Sequence, residues 1–351
     1  MPAVAIADLI KKKDSSATIL FLGATGGMEE ELVARAGYDI STVRVMGFAR
    51  QLTLSNVKAA YLTLTAVQRA MTVLKKFSPD IVIGTGGYAS YPALRAAVSL
   101  GIPCAVHESN AVPGLAVKRL ASRVDRVWLN FEEASRLLDE RASVLKVGNP
   151  LPCEYASPVP VALPQGTRRM VLSFGGSLGA RVLNDAVLDM MEREREKSDT
   201  YHLHATGRRD YERVHAAFCK RGLDRTPHLS LVPFISPMAN YMTAASIIIC
   251  RAGAMSIGEL AALGKCAILV PSPNVVGNHQ LKNAVALSDR GAAILMEEEM
   301  LSGERLLQQV ESLLSDPSKR KGMESAIRAF HDSHTEEKIW TDICCLCKKM
   351  V

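Results

Sequence analysis

The sequence predicts an α/β protein of two Rossmann-like domains facing a cleft, and three observations lead there. Short apolar, β-branched runs alternate with amphipathic stretches along all 351 residues, the pattern of parallel sheets crossed by helices. The alternation breaks once, at Pro150–Pro164, where five prolines in fifteen residues can continue neither helix nor strand. Glycine-rich and polar segments follow directly after the apolar runs, where ligands sit in doubly wound sheets.

In the first half, strands are expected at Ala17–Leu22, Asp80–Ile83, Pro103–Val106, Arg126–Leu129 and Val144–Val147. In the second half they are expected at Met170–Phe174, Tyr201–His204, Leu229–Val232, Ser246–Cys250, Ala267–Val270 and Ala292–Leu295. A long helix belongs within Leu54–Lys76 and a charged one within Leu183–Lys197. The proline-rich segment is the linker, giving an N-terminal domain over 1–158 and a C-terminal domain over 165–330.

Composition narrows the class. Aromatics are only 5% of the chain, which argues against an aromatic-lined binding module, and the net charge of +6 suits an anionic ligand or surface without calling for nucleic acid. No apolar run reaches the length that spans a bilayer. The N-terminus places its lysines (Lys11, Lys12, Lys13) after the apolar residues, the reverse of an export signal. The eight cysteines are expected as reduced thiols in a cytoplasmic chain.

The loops after the strands carry the chemistry. Gly175-Gly-Ser-Leu-Gly-Ala-Arg181 precedes a helix, so its backbone N–H groups can converge on an anion while Ser177 adds a hydroxyl. The alternative is a tight turn with Ser177 as helix cap. In Arg251-Ala-Gly-Ala-Met-Ser-Ile-Gly-Glu259, the Glu259 carboxylate is placed to accept from a ribose diol, or else Ser256 and Glu259 form a capping box. Asn278, His279, Gln280 and Asn283 form a polar set suited to sugar hydroxyls, or simply a solvated first helical turn. In the first half, Gly84-Thr-Gly-Gly-Tyr-Ala-Ser90 and His107-Glu-Ser-Asn-Ala-Val-Pro-Gly114 make a second polar pocket, with His107 either functional or structural.

Taken together these loops resemble the MurG-type transferases, which move N-acetylglucosamine from UDP to the undecaprenyl-pyrophosphoryl-muramoyl-pentapeptide precursor of peptidoglycan. The matching segments are GTGGYASYP (84–92), GIPCAVHESNAVPGL (101–115), VGNP (147–150), FGGSLGARVLN (174–184), PFISPM (233–238), CRAGAMSIGELAALGK (250–265) and NHQLKNA (278–284). They stand in the family's order and spacing. The resemblance implies a GT-B fold whose C-terminal half binds UDP-GlcNAc. Ser177 would contact the phosphates, Glu259 the ribose, the backbone near Ile235 the uracil edge, and His279 and Gln280 the sugar hydroxyls. Tyr88, His107 and Asn110 would face the acceptor, and the segment 331–351 would return to the N-terminal domain. The reaction would invert the anomeric centre by attack of the muramoyl 4-hydroxyl. No Asp-x-Asp motif is present, and neither a metal nor a cofactor is implied.

The sequence departs from the family in places. The family opens with a strand and a Gly-Gly-Thr-Gly-Gly-His loop, whereas this chain opens on the helix that follows them. Without that histidine, His107 becomes the candidate base. The helix Pro2–Lys13 is expected to lack part of the sheet beneath Val4, Ile6, Leu9 and Ile10, with poor domain stability and negligible transfer as the consequence. Pro152, Ser236-Pro237 and Gly277 replace the family's arginine, acidic pair and acid. Two other function classes therefore stand beside the transferase: a non-catalytic nucleotide-sugar binder and a UDP-GlcNAc 2-epimerase.

The membrane reading has its own signal. Between Asp39 and Asp80 there is no acidic residue, while Arg44, Arg50, Lys58, Arg69, Lys75 and Lys76 are interleaved with apolar residues. Such a stretch suits an anionic membrane surface, here the cytoplasmic face of the plasma membrane, or is a core helix with a basic solvent face.

Overall fold

The computed structural model describes residues 2–45, 54–176, 179–196 and 199–348. The chain divides into two compact units, one of residues 1–152 and 332–351 and the other of residues 153–331. The chain passes from the first to the second inside the proline-rich segment and returns after His331.

The first unit contains strands β1 (Leu20–Ala24), β2 (Asp39–Val43), β3 (Val82–Gly84), β4 (Cys104–Glu108), β5 (Arg126–Leu129) and β6 (Val144–Lys146). Its helices are α1 (Pro2–Lys13), α2 (Met28–Arg35), α3 (Leu54–Phe77), α4 (Gly87–Leu100) and α5 (Leu115–Leu120). Strands β3 to β6 form a parallel sheet in chain order, and β1 pairs in parallel with β2 as a separate two-stranded sheet. Among the described residues β1 and β3 share no ladder, and α4 packs against both.

Alternation along the strands decides which helices cover which face. Val82, Cys104, Val106, Val127 and Leu129 pack with Ala70 and Leu74 of α3, Leu94 of α4 and Leu120 of α5. Ala105 and Trp128 point the other way, onto Ile6 and Leu9 of α1 and onto Ile339, Ile343 and Leu346 of the last helix. The expected gap is seen only in part: Ile6 and Leu9 are buried, Val4 and Ile10 are half-buried, and among the described residues β1–β2 stands as a sheet apart from β3–β6. Ile6 is only 2% exposed, because β4, β5 and the final helix together supply the surface.

The second unit has strands β7 (Arg169–Phe174), β8 (Thr200–Ala205), β9 (Leu229–Val232), β10 (Ile247–Cys250), β11 (Ala267–Leu269) and β12 (Ile294–Leu295). Its helices are α6 (Arg181–Arg193), α7 (Tyr211–Lys220), α8 (Met238–Ala244), α9 (Ala254–Leu263), α10 (His279–Ser288), α11 (Gly303–Ser315) and α12 (Pro317–Arg328). The strands form one parallel sheet ordered β12-β11-β10-β7-β8-β9. Val171, Leu229, Ile247, Ile249 and Ile268 face α6, α7, α11 and α12, where Leu183, Val187, Met190, Phe218, Val310 and Met323 complete the core. Each fully buried side chain of this size contributes about 1.5–3 kcal/mol.

The last helix, α13 (Thr335–Lys348), belongs to the first unit. Asp342 fixes it in place. Its carboxylate accepts from the Trp128 indole N–H at 2.7 Å and from Arg126 Nε at 3.0 Å. Trp128 is fully buried, so its N–H has no access to water as an alternative. Replacing Asp342 by Ala strands a buried donor beside an unpaired guanidinium, and the first unit should lose about 2–3 kcal/mol. Thermal unfolding should register this as a clear drop in melting temperature; a loss below about 0.5 kcal/mol would show that α13 is held by apolar contact alone.

Candidate functional site

Parallel strands deliver every carboxyl end to the same sheet edge. In the second unit the chain runs β7, β8, β9 in one direction and then returns to lay β10 on the other side of β7. The β7–β10 boundary is thus the point where strand order reverses, the place where such sheets open a crevice. Three of the polar loops singled out in the sequence follow β7, β10 and β11, three adjacent strands.

The loop after β7 is a glycine turn leading into α6. Gly176 and Gly179 have φ near +90° and +80°, a region that side chains disfavour. Gly179 N donates to Gly176 O at 2.9 Å, closing the turn. A Cβ on Gly175 would come within 2.8 Å of Ala180 N, and one on Gly179 would strike the Thr206 carbonyl oxygen. The N-cap of α6, Ala180, makes no side-chain bond to the helix, so among the described residues no side chain caps its first-turn N–H groups. Ser177 lies outside the described residues.

After β10, helix α9 starts at Ala254 with Gly253 as its cap. Ser256 is therefore inside the helix, and the capping-box alternative for Glu259 does not hold. Glu259 instead meets the hydroxyl of Tyr155, from the 3-10 turn Cys153–Tyr155. Burial raises the Glu259 carboxyl to about 7, with the Tyr155 hydrogen bond opposing. Arg251 braces this loop, donating from Nη1 to the carbonyls of Val270 at 3.1 Å and Pro271 at 3.2 Å and pairing with Glu298 at 2.8 Å.

After β11, His279 and Gln280 open α10, preceded by Asn278 in a left-handed conformation. Gln280 Oε1 accepts from Ser272 N at 2.8 Å, and Asn283 Nδ2 donates to Ala252 O at 3.3 Å. The solvated-turn alternative is thus wrong for Gln280 and Asn283, which tie neighbouring loops together. Ile235 stands apart, buried in the loop after edge strand β9, and with Phe234 and Tyr241 it lines a cavity of about 430 Å³.

The first unit has its own pair of adjacent loops, after β3 and β4. Gly86 and Gly87, both with positive φ, turn the chain into α4, and Tyr88 in its first turn is 56% exposed. In the next loop the Glu108 carboxylate accepts from the backbone N–H of Asn110 at 2.9 Å, from the Asn110 carboxamide at 3.0 Å and from Gly114 N at 2.8 Å. His107 is fully buried. Its Nε2 lies 2.8 Å from Gly148 O, which requires the hydrogen on Nε2, and the Ser109 hydroxyl reaches Nδ1 at 3.2 Å. Burial holds the ring down at about 4, so it is neutral with both nitrogens engaged.

Tyr155 was not singled out from sequence, whereas Glu108 was, as part of the polar loop with His107 and Asn110. The signal for Tyr155 is that it is the one aromatic residue in the proline-rich linker.

The glycosyltransferase family 28 N-terminal domain model matches residues 1–129, and the family 28 C-terminal domain model matches residues 170–338. The chain belongs to glycosyltransferase family 28. This family 28 chain is 35% identical to the UDP-N-acetylglucosamine--N-acetylmuramyl-(pentapeptide) pyrophosphoryl-undecaprenol N-acetylglucosamine transferase of Acetivibrio thermocellus, over 97% of this chain and 92% of that protein. It is also similar to the crystal structure of Acinetobacter baumannii MurG, with a TM-score of 0.74 and 27% identity over 97% of this chain and 94% of that one. A UDP-GlcNAc 2-epimerase from Neisseria meningitidis bound to UDP-GlcNAc reaches a TM-score of 0.67 at 14% identity over 98% and 96% of the two chains. That likeness is one of fold. The architecture is that of the GT-B transferases: an α/β chain of two Rossmann-like domains with parallel sheets.

The raised Glu259 carboxyl of this family 28 chain has a consequence for stability. The folded state holds this proton more tightly than the unfolded chain, whose value is 4.5. The contribution is complete below about pH 4.5 and is lost as pH climbs through about 7. Between pH 5 and 8 the group should cost the second unit about 1–2 kcal/mol. Urea unfolding at the two pH values should show a smaller loss for Glu259→Gln than for the unaltered protein. Equal losses would return the carboxyl to its ordinary range.

Proposed function

We propose that the chain transfers N-acetylglucosamine from UDP to the 4-hydroxyl of lipid-linked MurNAc-pentapeptide, the step from lipid I to lipid II in peptidoglycan synthesis. The observation that carries this reading is the match, over nearly the full length of both chains, to a transferase named for that donor and that acceptor. The epimerase likeness is one of fold, at 14% identity.

On this reading the glycine turn and the first-turn N–H groups of α6 take the diphosphate, joined by the Ser177 hydroxyl. Glu259 accepts from the ribose hydroxyls, with Tyr155 holding its carboxylate in direction. The backbone at Ile235 meets the uracil edge, and His279 and Gln280 line the sugar. Tyr88 and Asn110 serve the acceptor from the first unit. The muramoyl 4-hydroxyl oxygen forms the new bond to the anomeric carbon as the bond to UDP breaks on the opposite side, and the electron pair leaves with the diphosphate. Stabilising that departing charge is the task of preorganised N–H groups. The proton goes to a base, for which His107 is the proposed residue. Its ring is buried and Nδ1 already faces the Ser109 hydroxyl, so the proton passes through that hydroxyl, which takes it from the acceptor as it gives its own to Nδ1. A ring held near 4 is a weak base at neutral pH, so the leaving-group site carries most of the rate.

Incubation with UDP-GlcNAc tests the assignment. UDP should be released only when the polyprenyl-pyrophosphoryl acceptor is present. UDP-ManNAc formed without acceptor would make the chain an epimerase, and binding without turnover would make it a binder. In the same preparation, Glu259→Ala should weaken UDP affinity by about 1–3 kcal/mol, the cost of unpaired ribose hydroxyls; unchanged calorimetric affinity would remove Glu259 from the site.

We further propose that the first unit meets the anionic cytoplasmic face of the plasma membrane through α3. Tyr61 and Leu64 are 66% and 68% exposed, and Arg44, Arg69, Lys75 and Lys76 are exposed as well. Arg50 and the side chain of Lys58 lie outside the described residues. Among the described residues no helix is long and apolar enough to cross a membrane. Basic residues near such a surface contribute about 1 kcal/mol each at low salt. Reversing charge at Arg69, Lys75 and Lys76 should release the protein from anionic vesicles with UDP binding intact. Vesicle binding that ignores both salt and the reversal would refute the electrostatic face.

A further inference from the structure

Both ends of the glycine turn between β7 and α6 are tied to one buried histidine on β8. Ser173 is the penultimate residue of β7, and its hydroxyl lies 2.8 Å from His204 Nδ1. Asn184 is in the first turn of α6, and its Oδ1 lies 3.2 Å from His204 Nε2. The two contacts flank the glycine turn, one just before it and one just after it.

The protons in these contacts follow from the partners of Asn184. Its Nδ2 donates to the Thr206 carbonyl at 3.0 Å and to the Asp210 carboxylate at 2.8 Å. Both partners only accept, so the carboxamide has one orientation and presents Oδ1 to His204. Nε2 therefore bears the hydrogen given to Asn184, while Nδ1 faces both the hydroxyl and the carbonyl of Ser173, at 2.8 and 3.1 Å, and that hydroxyl also lies 2.8 Å from His202 Nε2. Burial keeps the His204 ring neutral, at about 3, in agreement with that pattern. Asp210 is held in turn by two bonds of 2.7 Å from Arg213.

The same Thr206 carbonyl lies against the bare Cα of Gly179, where a Cβ would strike it. One oxygen thus receives the amide of Asn184 and sets how closely the glycine turn approaches the loop after β8. Asn184, His204 and Thr206 are all completely buried. An apolar residue of similar volume would fill that space with less desolvation cost; what a carboxamide adds is direction.

We propose that Asn184 is a positioning residue for the diphosphate subsite, fixing through Thr206 and His204 how Gly179 and the start of α6 are presented to it. This rests on the reading of the glycine turn as the diphosphate cradle.

Calorimetry with UDP and with uridine separates the two ideas, because only UDP engages the turn. The unaltered protein should bind UDP more tightly than uridine; equal affinities would refute the cradle itself, and the role of Asn184 with it. In Asn184→Ala the preference for UDP should shrink about tenfold, as for a lost charge-assisted contact, while uridine affinity changes less than about twofold. If the unaltered protein shows the preference and Asn184→Ala keeps it, or weakens both ligands alike, the positioning role is refuted and Asn184 is a packing residue only. Should Asn184→Ala fail to fold, Asp210→Ala removes a partly exposed member of the same network. It should cost about threefold in the preference, and an unchanged preference there would equally overturn the proposal.

Discussion

Every strand pair among the described residues is parallel, and a parallel neighbour is reached only by a crossover along the face of the sheet. Each carboxyl end must then empty onto the same edge. That constraint brings three loops far apart in sequence, after β7, β10 and β11, next to one another at the strand-order reversal. It also dictates the glycines at 175 and 179. The chain has to turn from strand into helix between Ala180 on one side and the Thr206 carbonyl on the other, with no room for a side chain.

The loops are irregular but not loose, and the means is the same each time. A side chain from one loop satisfies backbone atoms of another: Arg251 on Val270 and Pro271, Gln280 on Ser272, Asn283 on Ala252, and His107 on Gly148. Glu108 does this within its own loop, gathering the N–H groups of Asn110 and Gly114. Backbone groups with no secondary-structure partner are thereby paired, which a buried loop requires. The cost is that these polar side chains are committed inward. Asn110 and Gln280 each spend part of their hydrogen-bonding capacity on the scaffold, and a ligand meets what remains.

Much of the fold was legible because the buried strands are runs such as Ile247–Cys250, apolar on both faces as central parallel strands must be. Strand β2 was missed for the opposite reason: Asp39-Ile-Ser-Thr-Val43 is half polar and largely accessible, and it pairs on one edge only. The glycine turn was legible because its glycines are dictated by backbone geometry. Glu259 was ambiguous since Ser256-x-x-Glu259 fits a cap as well as a site, and only the start of α9 at Ala254 decides between them. The partners of His107 and His204 come from other strands and loops, across 41 residues for Gly148 and 31 for Ser173, and no local pattern announces them.

The second unit is inserted within the first, since α13 packs beside α1 although the whole of residues 153–331 lies between that helix and the rest of its unit. On a ribosome, where domains fold as they emerge, the consequence is an unusual order of completion. The first unit leaves the tunnel with one sheet face covered by α1 alone, and the Trp128 indole N–H still without its Asp342 partner. The second unit, continuous in sequence, has all its strands and helices available before α13 is made. The last 14-residue helix then closes a sheet synthesised some two hundred residues earlier, a delay during which that apolar face depends on chaperones or on transient local contacts to avoid other chains.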